Sequence, residues 1–286
     1  MPTDLFARIR ENAPALSKGQ RAIATFISEH YDKAAYMTAH RMGETVGVSE
    51  STIVRFATEL GYEGYPQMQK ALREAIRATL TSVQRIELGR DRLGSGDLLK
   101  RALMSDLENL RSTMDSIDPE TFAGAVEAIL SARDIYIVGA RSSAALVSFL
   151  AFYLNLIFPN VRLAGSASDS DMFERVMRIG PEDALIGISF PRYSRRTVQT
   201  MRYAHDRGAR VIALTDSPQS PLAETAGLTL LARSDMVSFV DSLVSPLAVI
   251  NALIVALGMR RGEDVAKTFT DLERIWDEYE IYEKHR

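Results

Sequence analysis

The chain has 286 residues, 46 % hydrophobic and 25 % charged, with a formal net charge of −3, which suits two globular domains and excludes a disordered or fibrous polymer. No apolar run reaches membrane-spanning length, Pro246 to Met259 being about one core helix, and Met1 to Ala15 lacks the hydrophobic stretch of a secretory leader. With no cysteine and four scattered histidines there is no disulfide framework and no ligand spacing for a metal, so no metal and no cofactor is expected and the chain reads as cytoplasmic.

In chain order, Leu5, Phe6 and Ile9 mark a first short helix. Ser17 is placed to cap a second, running to about Tyr31 with Ala22, Ile23, Phe26 and Ile27 inward. Then come two short helical segments, Thr38 to Val46 and Glu50 to Leu60, separated by Gly47-Val48-Ser49. Gly47 can take the positive φ that ends one helix, and the Ser49 hydroxyl can cap the next. Ile53, Phe56, Ala57 and Leu60 share a buried stripe, leaving Ser51, Thr52, Arg55 and Thr58 outward. Hydroxyls and an arginine on the exposed face of such a helix are the groups that meet phosphates and base edges in a major groove. The expected DNA-contact set is therefore Ser49, Ser51, Thr52, Arg55 and Thr58, with an i,i+4 pair between Arg55 and Glu59 as the alternative fate of the arginine. Residues 1–77 carry ten Lys/Arg against nine Asp/Glu, so specific binding to a double-stranded operator needs these side chains well placed and doubled by a homo-oligomer, a dimer or tetramer.

The run Val48-Ser49, Ser51-Thr52-Ile53-Val54-Arg55-Phe56, Leu60-Gly61-Tyr62 and Gly64-Tyr65 resembles, nearly position by position, the N-terminal domain of RpiR-type transcriptional regulators, with Met42-Gly43 where Leu-Ala is usual. The resemblance implies a helix-turn-helix domain joined to a sugar isomerase (SIS) domain. A further amphipathic helix from Tyr65-Pro66 closes the first domain near residue 77. Residues 78–120 read as a linker, partly helical and glycine-marked to Gly96, followed by a connecting helix that Asp97 caps, with Leu99, Leu103, Leu107, Leu110 and Met114 on one side.

Residues 121–286 form the second expected domain. After a helix opened by Pro119, short apolar runs at 135–138, 161–164, 184–188, 211–214 and 228–231 alternate with helical patterns at 142–157, 172–179, 197–207, 221–226 and 237–257. That alternation predicts an α/β fold with a five-stranded parallel sheet and right-handed crossovers, whose ligands bind where strands end and helices begin. Two loops fit: Gly139-Ala140-Arg141-Ser142-Ser143 and Ser189-Phe190-Pro191-Arg192-Tyr193-Ser194. Glycine after a strand permits close approach, and hydroxyls at a helix start favour an anion.

Together with Arg207-Gly208-Ala209 through Asp216-Ser217-Pro218 and Ser220-Pro221-Leu222-Ala223, the two loops resemble the phosphosugar-binding loops of SIS domains. The resemblance implies an α/β sandwich and an effector site at Gly139, Arg141, Ser142, Ser143, Ser189, Arg192, Tyr193 and Ser194. The usual second loop, Ser-x-Ser-Gly-x-Thr, aligns Ser189 with its first serine and Ser194 with its threonine, but Pro191 and Arg192 replace serine and glycine. A small sugar-derived effector is thus expected, phosphorylated or acidic or inositol-like, with Arg192 able to grip an acid group. Plainer fates exist: Ser142 as only a helix cap, Tyr193 as packing, Asp169-Ser170-Asp171 as an N-cap, and Arg141 or Arg192 paired with Asp169, Asp171 or Glu174. The rival function is a sugar-phosphate aldose–ketose isomerase, but His205, the one histidine of the SIS-like core, lies far along a helix from either loop, and neither Glu174 nor Glu224 is in one. The expected role is a transcriptional regulator without catalysis.

Overall fold

The computed structural model describes residues 5–76, 80–93, 97–164, 171–236 and 238–283. It divides into two compact units, 1–98 with 237–240 and 99–236 with 241–286.

The first unit is helical: α1 (Leu5–Asn12), a 3-10 turn (Ala13–Ala15), α2 (Lys18–Glu29), α3 (Tyr31–Ala34), α4 (Ala39–Val46), α5 (Glu50–Glu59), α6 (Tyr65–Ile76) and α7 (Ser82–Leu93). α2 opens with a reciprocal cap, the Ser17 hydroxyl accepting from the Gln20 amide while the Gln20 side chain accepts from Ser17 N–H at 2.8 Å. Ile23, Ile27, Met42, Ile53, Phe56, Met68 and Leu72 are buried together as the core of this unit. α6 is tied to the segment before α4 by Tyr65, whose hydroxyl donates to the Met37 carbonyl at 2.6 Å. The stretch read as a partly helical linker contributes α7 to this unit.

The second unit contains α8 (Leu98–Ser116), α9 (Pro119–Leu130), β1 (Ile135–Gly139), α10 (Ser143–Ile157), β2 (Val161–Leu163), α11 (Asp171–Val176), β3 (Ala184–Ile188), α12 (Arg195–Asp206), β4 (Arg210–Thr215), β5 (Leu228–Leu231), α13 (Val244–Arg260) and α14 (Gly262–Glu278). All four strand pairings are parallel, in the order β2-β1-β3-β4-β5. Alternation within the strands sends Ile135, Ile137, Ile186, Ile188, Ile212 and Leu214 to one face, covered by α9, α10 and α13. It sends Tyr136, Val138, Leu185, Val211 and Ala213 to the other, covered by α11 and α12. At the amino edge of the sheet the buried Asp183 carboxylate accepts from Arg133 at 2.8 and 3.0 Å and from the Gly180 amide at 2.8 Å.

Three expectations change. The helix expected from Val237 to Leu257 starts at Val244; Val237 itself lies outside the described residues, and Pro246 is tolerated only in a first turn because further in it would clash with the preceding carbonyl. The pattern at Pro221 to Ala226 makes one turn and stops before Gly227. In α8 the leucine stripe is not what packs: Leu99, Leu103 and Met114 are 71, 59 and 70 % exposed. The helix instead docks by polar groups, Asn109 exchanging hydrogen bonds with the backbone of Asp235 at 3.1 and 3.0 Å and Thr113 accepting from Arg233 N–H at 2.8 Å. No single helix among the described residues is long and apolar enough to cross a membrane.

Burial pushes the Tyr65 phenol up to about 12, above its ordinary 10. The folded state therefore holds this proton more tightly, so the phenol's contribution is complete below the unfolded-state pKa and is lost as pH rises through 10 to 12. Chemical denaturation from pH 8 upward should show stability falling in that window, and Tyr65→Phe should flatten the fall while losing about 1 kcal/mol for the Met37 bond.

Candidate functional site

In the helical unit, Gly47 adopts φ 77°, and the amides of Gly47 and Val48 both donate to the Gly43 carbonyl at 2.9 Å. The turn sits so close on α4 that a Cβ at Gly43 would meet the Val48 carbonyl oxygen at 2.8 Å. Ser49 caps α5, its hydroxyl accepting from Thr52 N–H at 3.3 Å and lying 2.9 Å from the Ser51 and 2.8 Å from the Thr52 hydroxyl. Ser49, Ser51, Arg55 and Thr58 are exposed and Thr52 is half-buried, while Ile53, Phe56, Ala57 and Leu60 are buried behind them. The Thr58 hydroxyl donates to the Arg55 carbonyl at 2.9 Å, so it presents mainly an acceptor outward. Arg55 donates weakly to the Ser51 carbonyl at 3.5 Å and makes no ion pair among the described residues. Glu59 does not pair with it and instead accepts from Gln20, which buttresses α5 against α2. Val54, outside the expected contact set, is exposed on the same helix and offers an apolar contact of the kind a thymine methyl needs.

In the sheet unit, β1 and β3 are neighbours while their chains continue to opposite sides, to β2 and β4. That is a topological switch point, where the crossovers diverge and leave a crevice at the carboxyl ends. Gly139 and Ile188, the last residues of the two strands, are paired in register, so the two loops start side by side. A Cβ on Gly139 would meet the Ile188 carbonyl oxygen at 2.8 Å and Val147 at 2.7 Å.

Beyond Gly139, Arg141 takes φ 59°, and Ser142, in helical conformation, makes no side-chain cap. The reading of Ser142 as a helix cap is thereby corrected: with Arg141 left-handed, the turn closes through Ala144 N–H to the Arg141 carbonyl at 3.0 Å, and the first turn of α10 has no capping hydroxyl. Ser143, the first residue of α10, is 3 % exposed. In the second loop Ser189 accepts from Ser194 N–H at 3.0 Å, and Ser194 accepts from Thr197 N–H at 3.4 Å, capping α12. Tyr193 packs against the second core and donates to Asp216 at 2.9 Å, fastening the loop to the end of β4. Asp216 falls outside the set expected from the sequence, although its place directly after a buried strand puts it on the same edge as the loops. Asp169 and the side chain of Asp171 lie outside the described residues; Arg141 makes no pair with Glu174. His205 sits in the last turn of α12, roughly 16 Å along the helix axis from Ser194 at a rise of about 1.5 Å per residue, toward the opposite edge of the sheet.

A helix-turn-helix unit followed by a parallel sheet with paired loops at its switch point is the build of a two-domain regulator. Residues 3–79 match the helix-turn-helix domain of the rpiR family, and residues 128–256 match the SIS domain. The sugar isomerase domain of an RpiR transcription factor from Sphaerobacter thermophilus superposes with a TM-score of 0.60 at 32 % identity, covering 63 % of this chain and 99 % of that one. The transcriptional regulator HexR of Pseudomonas aeruginosa is 25 % identical over 267 residues, 91 % of each chain. NanR of Vibrio vulnificus, solved with ManNAc-6P, shares the fold over 96 % of this chain and 98 % of its own, with a TM-score of 0.60 at 22 % identity. The chain belongs to the RpiR family of transcriptional regulators.

The close approach at Gly139 predicts that Gly139→Ala costs about 1–3 kcal/mol, because the obstructing atom is a strand carbonyl that cannot yield. A thermal melt followed by circular dichroism measures it; an unchanged midpoint would mean the loops do not start as tightly as described.

Proposed function

We propose that this regulator binds a double-stranded operator through α5 and that a small sugar-derived effector, held between the 139–143 and 189–194 loops, modulates that binding. One observation carries the reading: a capped helix with an outward polar face shares its chain with a sheet switch point at which two loops bearing serines and arginines begin side by side. Ser49, Ser51, Thr52, Arg55 and Thr58 are the proposed DNA contacts, with the guanidinium of Arg55 for a guanine or a phosphate and the hydroxyls for phosphates. Gly139, Arg141, Ser142, Ser143, Ser189, Arg192, Tyr193 and Ser194 line the proposed effector site, to which we add Asp216 as an acceptor for sugar hydroxyls. That HexR is a regulator and that NanR holds ManNAc-6P on the same fold both support this assignment.

The protein works as a homo-oligomer in the cytoplasm. Self-association is supported by the outward leucines of α8 and by α14, which contributes no buried residue although Phe269 and Ile275 line it. Two recognition helices would then read half-sites about one helical turn apart, so a small change in their spacing is enough to spoil joint docking. The role is noncatalytic: isomerisation needs an acid and a base within hydrogen-bond reach of C1 and C2, and His205 is a helix length away from the loops.

Selection of operator DNA from a random library, followed by anisotropy titration, tests the first half. Arg55→Ala should weaken the selected site by about 1–3 kcal/mol with an unchanged melting curve; equal affinity removes Arg55 from the interface. Thermal shift against phosphosugars, sugar acids and inositols tests the second half, and a panel with no stabiliser at all would retire the effector site. Turnover of a hexose or pentose phosphate would favour the isomerase instead.

A further inference from the structure

The helix α8 has two distinct sides. On the inner side Asp106, Asn109 and Thr113, three and four residues apart, accept hydrogen bonds from Ser242, Asp235 and Arg233 and fix the helix to the sheet unit. Beside them Leu99, Leu103, Leu107, Leu110 and Met114 follow one another at spacings of four, four, three and four, which aligns them as one stripe. Leu110 is half-buried and the other four are exposed. The stripe runs roughly 22 Å along the helix at a rise of about 1.5 Å per residue. Its spacing makes the ridge that a second helix fits, and its continuity sets it apart from apolar residues scattered singly over a surface.

The order of residues along α8 says what covers the stripe. Turned about a two-fold axis at Leu107, the stripe meets itself: Leu99 comes opposite Met114, Leu103 opposite Leu110, and Leu107 opposite its own copy. Charge is divided lengthwise. Residues 98–105 carry Lys100 and Arg101 and no acid, a balance of +2, whereas residues 106–116 carry Asp106, Glu108 and Asp115 against Arg111, a balance of −2. Two such helices running in the same direction would set like charges together at each end. Running in opposite directions, each basic half lies along an acidic half, and the two helix dipoles oppose as well.

Building on the proposed homo-oligomer, we infer that α8 pairs with the α8 of a second copy in an antiparallel register centred on Leu107, and that this pair sets the spacing of the two recognition helices. Each α8 starts where the helical unit ends, at Leu98. In that register the two Leu98 residues lie roughly 27 Å apart along the pair. That is of the order of one turn of DNA, about 34 Å, the separation of adjacent half-sites.

Because the chain has no cysteine, introduced cysteines report the register without interference. With oxidised glutathione, Leu107→Cys should form a covalent dimer, since a disulfide requires Cα atoms within about 7 Å. Leu99→Cys alone should not, whereas Leu99→Cys coexpressed with Met114→Cys should. All three side chains face outward, so circular-dichroism melts should match that of the unaltered protein. Cross-linking of Leu99→Cys to itself overturns the antiparallel register, and absence of either expected cross-link overturns the pair. Light scattering separates this outcome from the broader reading: a monomeric unaltered protein removes the homo-oligomer altogether, while an oligomer without the Leu107→Cys cross-link removes only the α8 pair. Leu103→Glu combined with Leu107→Glu should halve the mass and weaken binding to the selected operator by at least about a hundredfold, the loss expected when two linked sites become one. An unchanged mass overturns the inference.

Discussion

The register that pairs Gly139 with Ile188 is the constraint on which the second half of this protein depends. Parallel neighbours whose chains depart to opposite sides cannot be bridged at their carboxyl ends, so a crevice opens there for topological reasons alone. Glycine at the end of β1 then brings the crevice walls as close as a backbone permits, since the Ile188 carbonyl occupies the space a side chain would need. Most of the candidate effector site hangs from these two strand ends, namely the left-handed arginines, the buried serine of α10 and the serines before α12, and Asp216 joins it from the end of β4. The acidic cluster that holds Arg133 and Arg162 lies at the other edge, away from the two loop arginines.

The helical unit solves a different problem with few residues. To present a short helix outward it must be fixed from behind, and the fixing is local: a left-handed glycine, a serine cap, a glycine on α4 that admits the turn, and Gln20 holding Glu59 from α2. With Glu59 engaged there, Arg55 makes no ion pair among the described residues. A mildly charged domain can then offer a cation where it counts, even though its total charge is close to zero.

Much of this is legible in the amino-acid sequence, for a physical reason in each case. Caps and left-handed glycines are written in single residues, so Gly47, Ser49 and the limits of α4 and α5 are readable there. Strands buried on both faces appear as short apolar runs, and five of them in alternation with helices imply the parallel sheet. What escapes a reading of the sequence are properties that depend on partners distant along the chain. The spacing of Leu99, Leu103 and Leu107 reveals a helix but not which side of it faces its own fold; Asn109 and Thr113 take the inner side because backbone groups of residues 233 and 235 need partners. Asp216 is not legible as a site residue, because nothing next to it in sequence announces Tyr193. Pro246 marks the first turn of α13, but apolar residues ahead of it, such as Phe239 and Leu243, prolong the helical pattern and blur that boundary.

Joining an outward-facing helix to a crevice between two strand ends makes one testable demand on the crevice: both loops must respond as a unit to the same molecule. Hydrogen–deuterium exchange on the full chain, with and without any sugar derivative that raises its melting temperature, measures this directly. Amides at 140–144 and at 189–195 should slow together, at one ligand concentration. Protection of a single loop, or of neither while the melting temperature still rises, would place the ligand elsewhere and contradict the account.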